Sequence, residues 1–185
     1  MGKMDRDIER VLISEEELQR RVAELGAEIT RDYADKENVV LVGILRGCYV
    51  FLADLTRHID LHCRIDFIAA SSYGKGTSSS GQIEIKKDLT DPINGAHVIL
   101  VEDILDSGNT LAYLAQILQA RNPASIRIAT LLDKPSRREK SVKADYSGFT
   151  VPNAFVVGYG LDYAEEYRNL PYIGVLKPEV YEKGE

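Results

Sequence analysis

Cysteine is scarce, with only Cys48 and Cys63 in a chain of 185 residues. Two are too few for a disulfide framework and lack the paired spacing of a zinc site, so both are read as reduced thiols. Long apolar runs are missing as well. The longest, residues 39–45, stops at Arg46, far short of the roughly 18 residues that suggest a membrane span. Residues 1–6 hold no apolar signal core, and Arg6 stands where an N-myristoylation signal needs Ser or Thr. The chain is therefore expected in the cytoplasm with no membrane partner. Positive charge is in deficit too, because 23 Lys and Arg face 29 Asp and Glu, a formal net charge of −6. Nothing global then draws the chain to nucleic acid, and a polyanionic ligand needs a local cluster of cations, amides or metal. A small phosphorylated substrate suits that balance.

What is present fits one α/β domain, since 44% hydrophobic and 28% charged residues over this length support a full core. Ser14 followed by Glu17 reads as a capping box, and Leu18, Val22, Leu25 and Ile29 recur at helical spacing. Residues 39–45 form a continuous β-branched run of the kind buried on both faces in a parallel sheet. A helix is expected over 49–57, strands over 64–70, 96–101, 126–132 and 155–157, and a further helix through Leu111, Leu114, Ala115 and Leu118 that ends by Asn122-Pro123. The fold predicted is a mostly parallel sheet flanked by helices. Residues 71–81 are rich in Ser, Gly and Thr and read as a loop.

In open parallel sheets ligands bind beyond the carboxyl ends of the strands, so polar residues placed there are read for function first. The strongest instance is Val101-Glu102-Asp103-Ile104-Leu105-Asp106-Ser107-Gly108-Asn109-Thr110, a buried strand running into acids, a Gly-containing turn and a helix start. Amides of residues 106–110 at the positive helix end make a phosphate cradle, with hydroxyls from Ser107 and Thr110. Glu102 and Asp103 suit sugar hydroxyls or magnesium, and on an extended strand they point to opposite faces. His58 and His62 lie beside Cys63, but the helix ends near Asp60, so no zinc is expected there.

Residues 101–111 resemble the phosphoribosyl-diphosphate motif of type I phosphoribosyltransferases. Leu45-Arg46-Gly47, Ser72-Tyr73, Lys134 and the block from Phe155 through Val156, Asp162 and Arg168 resemble, in order, the hypoxanthine-guanine branch of that family. The resemblance implies a small hood at about 1–15 and 151–185 over a core at about 37–150, with a closing lid at about 71–87 that carries Ser72 and Tyr73. It implies that Arg46 and Gly47 hold pyrophosphate next to a strained Leu45-Arg46 peptide, and that Arg168 closes on the same group. Lys134 would donate to the purine's six-position oxygen, Phe155 would stack on the ring beside Ile104, and Val156 would offer backbone groups to its edge. Glu102 and Asp103 would hold ribose and magnesium, Asp162 a second magnesium next to the base, and Asp106 the proton at N7. Ser107 and Asn109 stand where some members have Thr and Lys, which removes one positive charge near the 5′-phosphate. Family members also pair as homodimers or homotetramers.

Plainer readings stay open for several of these: a bare strand-to-helix turn at Arg46, a core role for Phe155, and ordinary surface charge for Asp162 and Arg168. A regulator that senses phosphoribosyl diphosphate and binds DNA or RNA would need a basic surface or an added helix-turn-helix, and this chain has neither. A phospho-acceptor receiver domain would place its acid pair on the first strand. Xanthine-preferring phosphoribosyltransferases remain an alternative within the same chemistry.

Overall fold

A computed structural model describes residues 2–72 and 83–182. Its centre is a six-stranded sheet in the order β4-β3-β2-β5-β6-β7, formed by β2 (Val39–Leu45), β3 (Cys63–Ser72), β4 (Ile83–Lys87), β5 (His97–Leu105), β6 (Ser125–Asp133) and β7 (Tyr146–Thr150). Every neighbouring pair is parallel except β3 with β4. The predicted fold class holds.

The apolar runs explain why the sheet is covered on both sides. Successive residues of a strand face opposite ways. Val39 and Leu41 of β2 with Ile99 and Val101 of β5 enter one cluster, and Val40, Val42, Val98 and Leu100 enter another. On the first face lie α1 (Glu15–Asp32), through Leu18, Val22, Leu25 and Ile29, and α2 (Tyr49–Arg57), through Phe51, Leu52 and Leu55. The second face is closed by α3 (Asn109–Gln119) through Leu111, Leu114 and Leu118. Each such buried side chain contributes about 1.5–3 kcal/mol. The α1 capping box forms as read, with Ser14 Oγ accepting from Glu17 N and Glu17 Oε2 accepting from Ser14 N.

A second, three-stranded antiparallel sheet is drawn from both ends of the chain, in the order β1 (Ile8–Ile13), β9 (Ile173–Leu176), β8 (Val156–Val157). Its small core holds Ile8, Val157, Tyr167, Leu170 and Leu176. Tyr167 Oη donates to Asp7 at 2.9 Å and Tyr172 Oη to Asp5 at 2.6 Å, which ties the first residues to the last. Here one expectation is corrected. The strand read at 155–157 does not extend the parallel sheet. Its edge position beside β6 is taken by β7, and β8 pairs instead with β9. A four-residue helix, α4 (Pro178–Tyr181), follows.

Parallel strands end at the same edge, so β2, β5 and β6 deliver Arg46, Asp106 and Lys134 to one rim of the sheet. Residues 71 and 72 close β3 and residues 83–87 form β4, while the rest of the expected lid, Tyr73 included, lies outside the described residues.

Candidate active site

Two adjoining cavities open at this rim. The larger, about 520 Å³, is lined by Lys134, Phe155, Val156, Leu161 and Tyr181, and the smaller, about 320 Å³, by Arg46, Gly47, Glu102, Ser107, Gly108, Thr110 and Arg168. Asp103, Ile104, Asp106 and Asp162 line both, so the two are halves of one cleft. Of the residues singled out from the sequence, Asn109 stands beside the cleft at the start of α3. Ser72 closes β3 and Tyr73 is not described.

The phosphate-cradle segment is held from behind. Gly108 caps α3 with a left-handed φ of 82°, a conformation that glycine adopts without steric cost. Arg138 donates through Nε to Asp106 O at 3.0 Å and through Nη2 to Leu105 O at 3.2 Å. Glu139 N and Lys140 N both donate to Ser107 O, and Asn109 Nδ2 donates to Glu139 Oε2 at 2.7 Å. The loop is thereby fixed with the helix N-terminus facing the cleft, where partial positive charge favours an anion.

Glu102 and Asp103 do not part to opposite faces as expected. Strand β5 continues to Leu105, yet both carboxyls line the smaller cavity and interact with each other. Asp103 Oδ1 accepts from Ile104 N at 2.7 Å, which holds the short side chain against its own backbone. Burial pushes the Glu102 carboxyl well above the usual carboxylate range, and the Asp103 charge pushes it further; burial raises Asp103 too. Such a pair suits a divalent cation that displaces protons. Magnesium takes one or two carboxylates and fills the rest of its shell with water and substrate oxygens. No cluster of three or more His, Cys, Asp or Glu with metal-binding arrangement occurs among the described residues, including around His58 and His62.

The loop after β2 is packed without slack. The Leu45-Arg46 peptide is cis. A methyl group added at Gly47 would overlap the Asp103 carboxylate, and one added at Gly160 would overlap Gly47 O. Three segments, from β2, β5 and the turn after β8, nest there because two of them lack a side chain. Burial, with Glu102 and Asp103 close by, pushes the Cys48 thiol far up, so it stays an unreactive core group.

In the larger cavity Lys134 is only 7% exposed and donates to Ala154 O at 3.0 Å. An ammonium has three N–H donors, so two remain for a ligand. Phe155 stacks on Tyr181 with ring centroids 4.8 Å apart and meets Tyr163 edge-on. Asp106 Oδ1 is buried without a hydrogen-bond partner among the described residues, and Arg137 Nε stands 3.6 Å away. Arg137, Arg138, Leu161, Glu165 and Tyr181 were missed in the sequence. The Arg137-Arg138 pair, one residue beyond Lys134-Pro135, was the one available signal.

Residues 13–164 match the phosphoribosyl transferase domain. The chain belongs to that family. Phosphoribosyltransferases of known kind resemble it closely over their whole length. The hypoxanthine-guanine phosphoribosyltransferase of Bacillus subtilis is 57% identical over 97% of this chain and 99% of its own, and that of Streptococcus pneumoniae strain R6 is 56% identical over 96% and 98%. The crystal structure of a hypoxanthine phosphoribosyltransferase from Staphylococcus aureus superposes with a TM-score of 0.94 at 50% identity, covering 97% of each chain. The family drawn from the motif at 101–111 is therefore the right one, and the sheet described above is the phosphoribosyltransferase fold. No described helix is long and apolar enough to cross a membrane.

Proposed function

We propose that this enzyme transfers the 5-phosphoribosyl group from phosphoribosyl diphosphate to N9 of hypoxanthine or guanine, giving IMP or GMP and pyrophosphate. The observation that carries the choice of base is Lys134, a nearly buried ammonium in the wall of the larger cavity with donors to spare. A six-oxo purine accepts from it; the amino group of adenine does not. The named relatives support the same choice.

In this reading the base lies in the larger cavity between Phe155 and Ile104, its edge toward the backbone of Val156. Contact with Tyr181 and Tyr163 fixes the Phe155 ring in advance, which lowers the ordering cost of stacking. The 5′-phosphate sits on residues 107–110, the ribose hydroxyls on Glu102 and Asp103, and the pyrophosphate on Arg46, Gly47 and Arg168. As N9 bonds to C1, the C1–oxygen bond breaks and its electron pair leaves with pyrophosphate. The N7 proton passes to Asp106, whose Oδ1 has no hydrogen bond to give up among the described residues. Magnesium, held by Glu102 and Asp103 with Asp162 as ligand of a second ion, would neutralise the leaving group's charge. Most of the acceleration then comes from positioning, since few bonds are remade by the protein.

The same reading places the enzyme in the cytoplasm as a homodimer or homotetramer, which light scattering of the purified chain checks. The test of function is incubation with magnesium, phosphoribosyl diphosphate and each of hypoxanthine, guanine, xanthine and adenine in turn. IMP and GMP should form fast, with adenine a very poor substrate. Comparable kcat/KM for adenine or a clear preference for xanthine would overturn the assignment.

A further inference from the structure

Glu165 stands between the two arginines assigned to pyrophosphate. Its Oε1 lies 2.6 Å from Arg46 Nη2, and its Oε2 lies 3.3 Å from Arg168 Nη2. Each carboxylate oxygen therefore engages a different guanidinium, as two oxygens of a bound diphosphate would. The arrangement is imposed by the backbone. Ala164 and Glu165 have φ of 50° and 67°, a left-handed conformation that side-chain-bearing residues rarely adopt, and Glu165 N donates to Asp162 Oδ2 at 2.9 Å. Arg46 and Arg168 line the smaller cavity whereas Glu165 does not, so the acid reaches the arginines from outside the space the ligand would fill.

We propose that Glu165 is a displaceable internal anion that holds Arg46 and Arg168 in place and gives them up to pyrophosphate. The inference rests on the reading of these arginines as the pyrophosphate site. Exposure makes the exchange cheap: the Arg46 and Glu165 side chains are 67% and 56% exposed, so their ion pair is weak and water is ready to receive the freed carboxylate. A pyrophosphate with several negative charges outcompetes a single carboxylate. Once the ligand departs, Glu165 returns. The acid thus sets the affinity for pyrophosphate and speeds its release, while Asp162, 2.9 Å from Arg168 Nη2, keeps that arginine oriented in both states.

The experiment is a calorimetric titration of inorganic pyrophosphate, with saturating magnesium, into the parent enzyme, Glu165→Gln and Arg46→Ala, together with the rate of pyrophosphate release after one turnover. Glutamine keeps the size and the backbone hydrogen bond of Glu165 but not its charge. It should bind pyrophosphate about threefold to tenfold more tightly, the scale of one or two exposed ion pairs, and release it correspondingly more slowly. Unchanged or weaker binding in Glu165→Gln, with Arg46→Ala clearly impaired, overturns the inference and leaves the pyrophosphate site standing. If Arg46→Ala binds pyrophosphate as well as the parent, the site assignment fails and the inference fails with it.

Discussion

On one side of the cleft, Glu102, Asp106 and the cradle at 107–110 rise directly from β5, whose Val98, Ile99, Leu100 and Val101 are wholly buried, and from α3, anchored by Leu114 and Leu118. On the other side, residues 158–168 carry four positive-φ non-glycine residues, Tyr159, Ala164, Glu165 and Tyr167, and meet the cleft through exposed ion pairs. The first wall cannot shift without disturbing the core, whereas the Glu165–Arg46 pair of the second can exchange partners at little cost. Bond-making steps need fixed geometry and ligand traffic needs groups that let go. The two walls divide those demands.

If that division holds, substitutions on the β5 wall should cost more than those opposite. The largest effect is expected from Asp106→Asn, which preserves shape and backbone but removes the basic oxygen. Single-turnover nucleotide formation should fall by roughly 10² to 10⁴ while phosphoribosyl diphosphate still binds. A loss confined to affinity would make Asp106 a shaping residue only. Next comes Leu114→Ala beneath the cradle, fully buried in the parent. Urea unfolding should show a loss of about 2–5 kcal/mol, and a value below 1 would mean that this wall is no more rigid than its neighbour.

Lys134→Ala comes third. It removes a charged donor from the larger cavity, and kcat/KM for hypoxanthine should drop about 10- to 150-fold, the worth of one hydrogen bond to a charged group. An unchanged value would sink the six-oxo recognition. The smallest effect concerns Glu102→Gln and pH. Because burial raises the Glu102 carboxyl, the fold favours its protonated form, and metal-free enzyme should lose stability as pH rises from the ordinary carboxyl range through the raised value. Glutamine removes that loss. Metal-free Glu102→Gln should melt roughly 2–4 °C above the parent at pH 8, for a gain of about 1 kcal/mol. Added magnesium should raise the melting temperature of the parent alone, and equal responses of the two proteins would break the assignment of this acid to the metal.

Much of this architecture was legible because parallel topology converts linear order into position. Runs such as 39–45 read as central strands whose following polar residues gather at one rim, so the positions of Arg46, Asp106 and Lys134 followed from topology, while the roles expected of Arg46 and Lys134 came from the family resemblance. Short or one-sided elements left weaker traces. β8 has two residues and no period to read, and β7 is half-buried along most of its length. The facing of Glu102 and Asp103 was misread because a hydrogen bond from Ile104 N, rather than strand alternation, sets the Asp103 carboxyl. Glu165 was invisible for another reason: its partner Arg46 is 119 residues away, and the backbone that aims it is strained in a way no composition signals.

The nesting of Gly160 on Gly47 and of Gly47 on Asp103 has an evolutionary edge. Arg46, next door and 67% exposed, is held to its charge rather than to its volume. Positions 47 and 160 are limited by space, because a methyl at 47 would run into the Asp103 carboxylate and one at 160 into Gly47 O. A saturation library should therefore find positions 47 and 160 closed to any residue that carries a side chain.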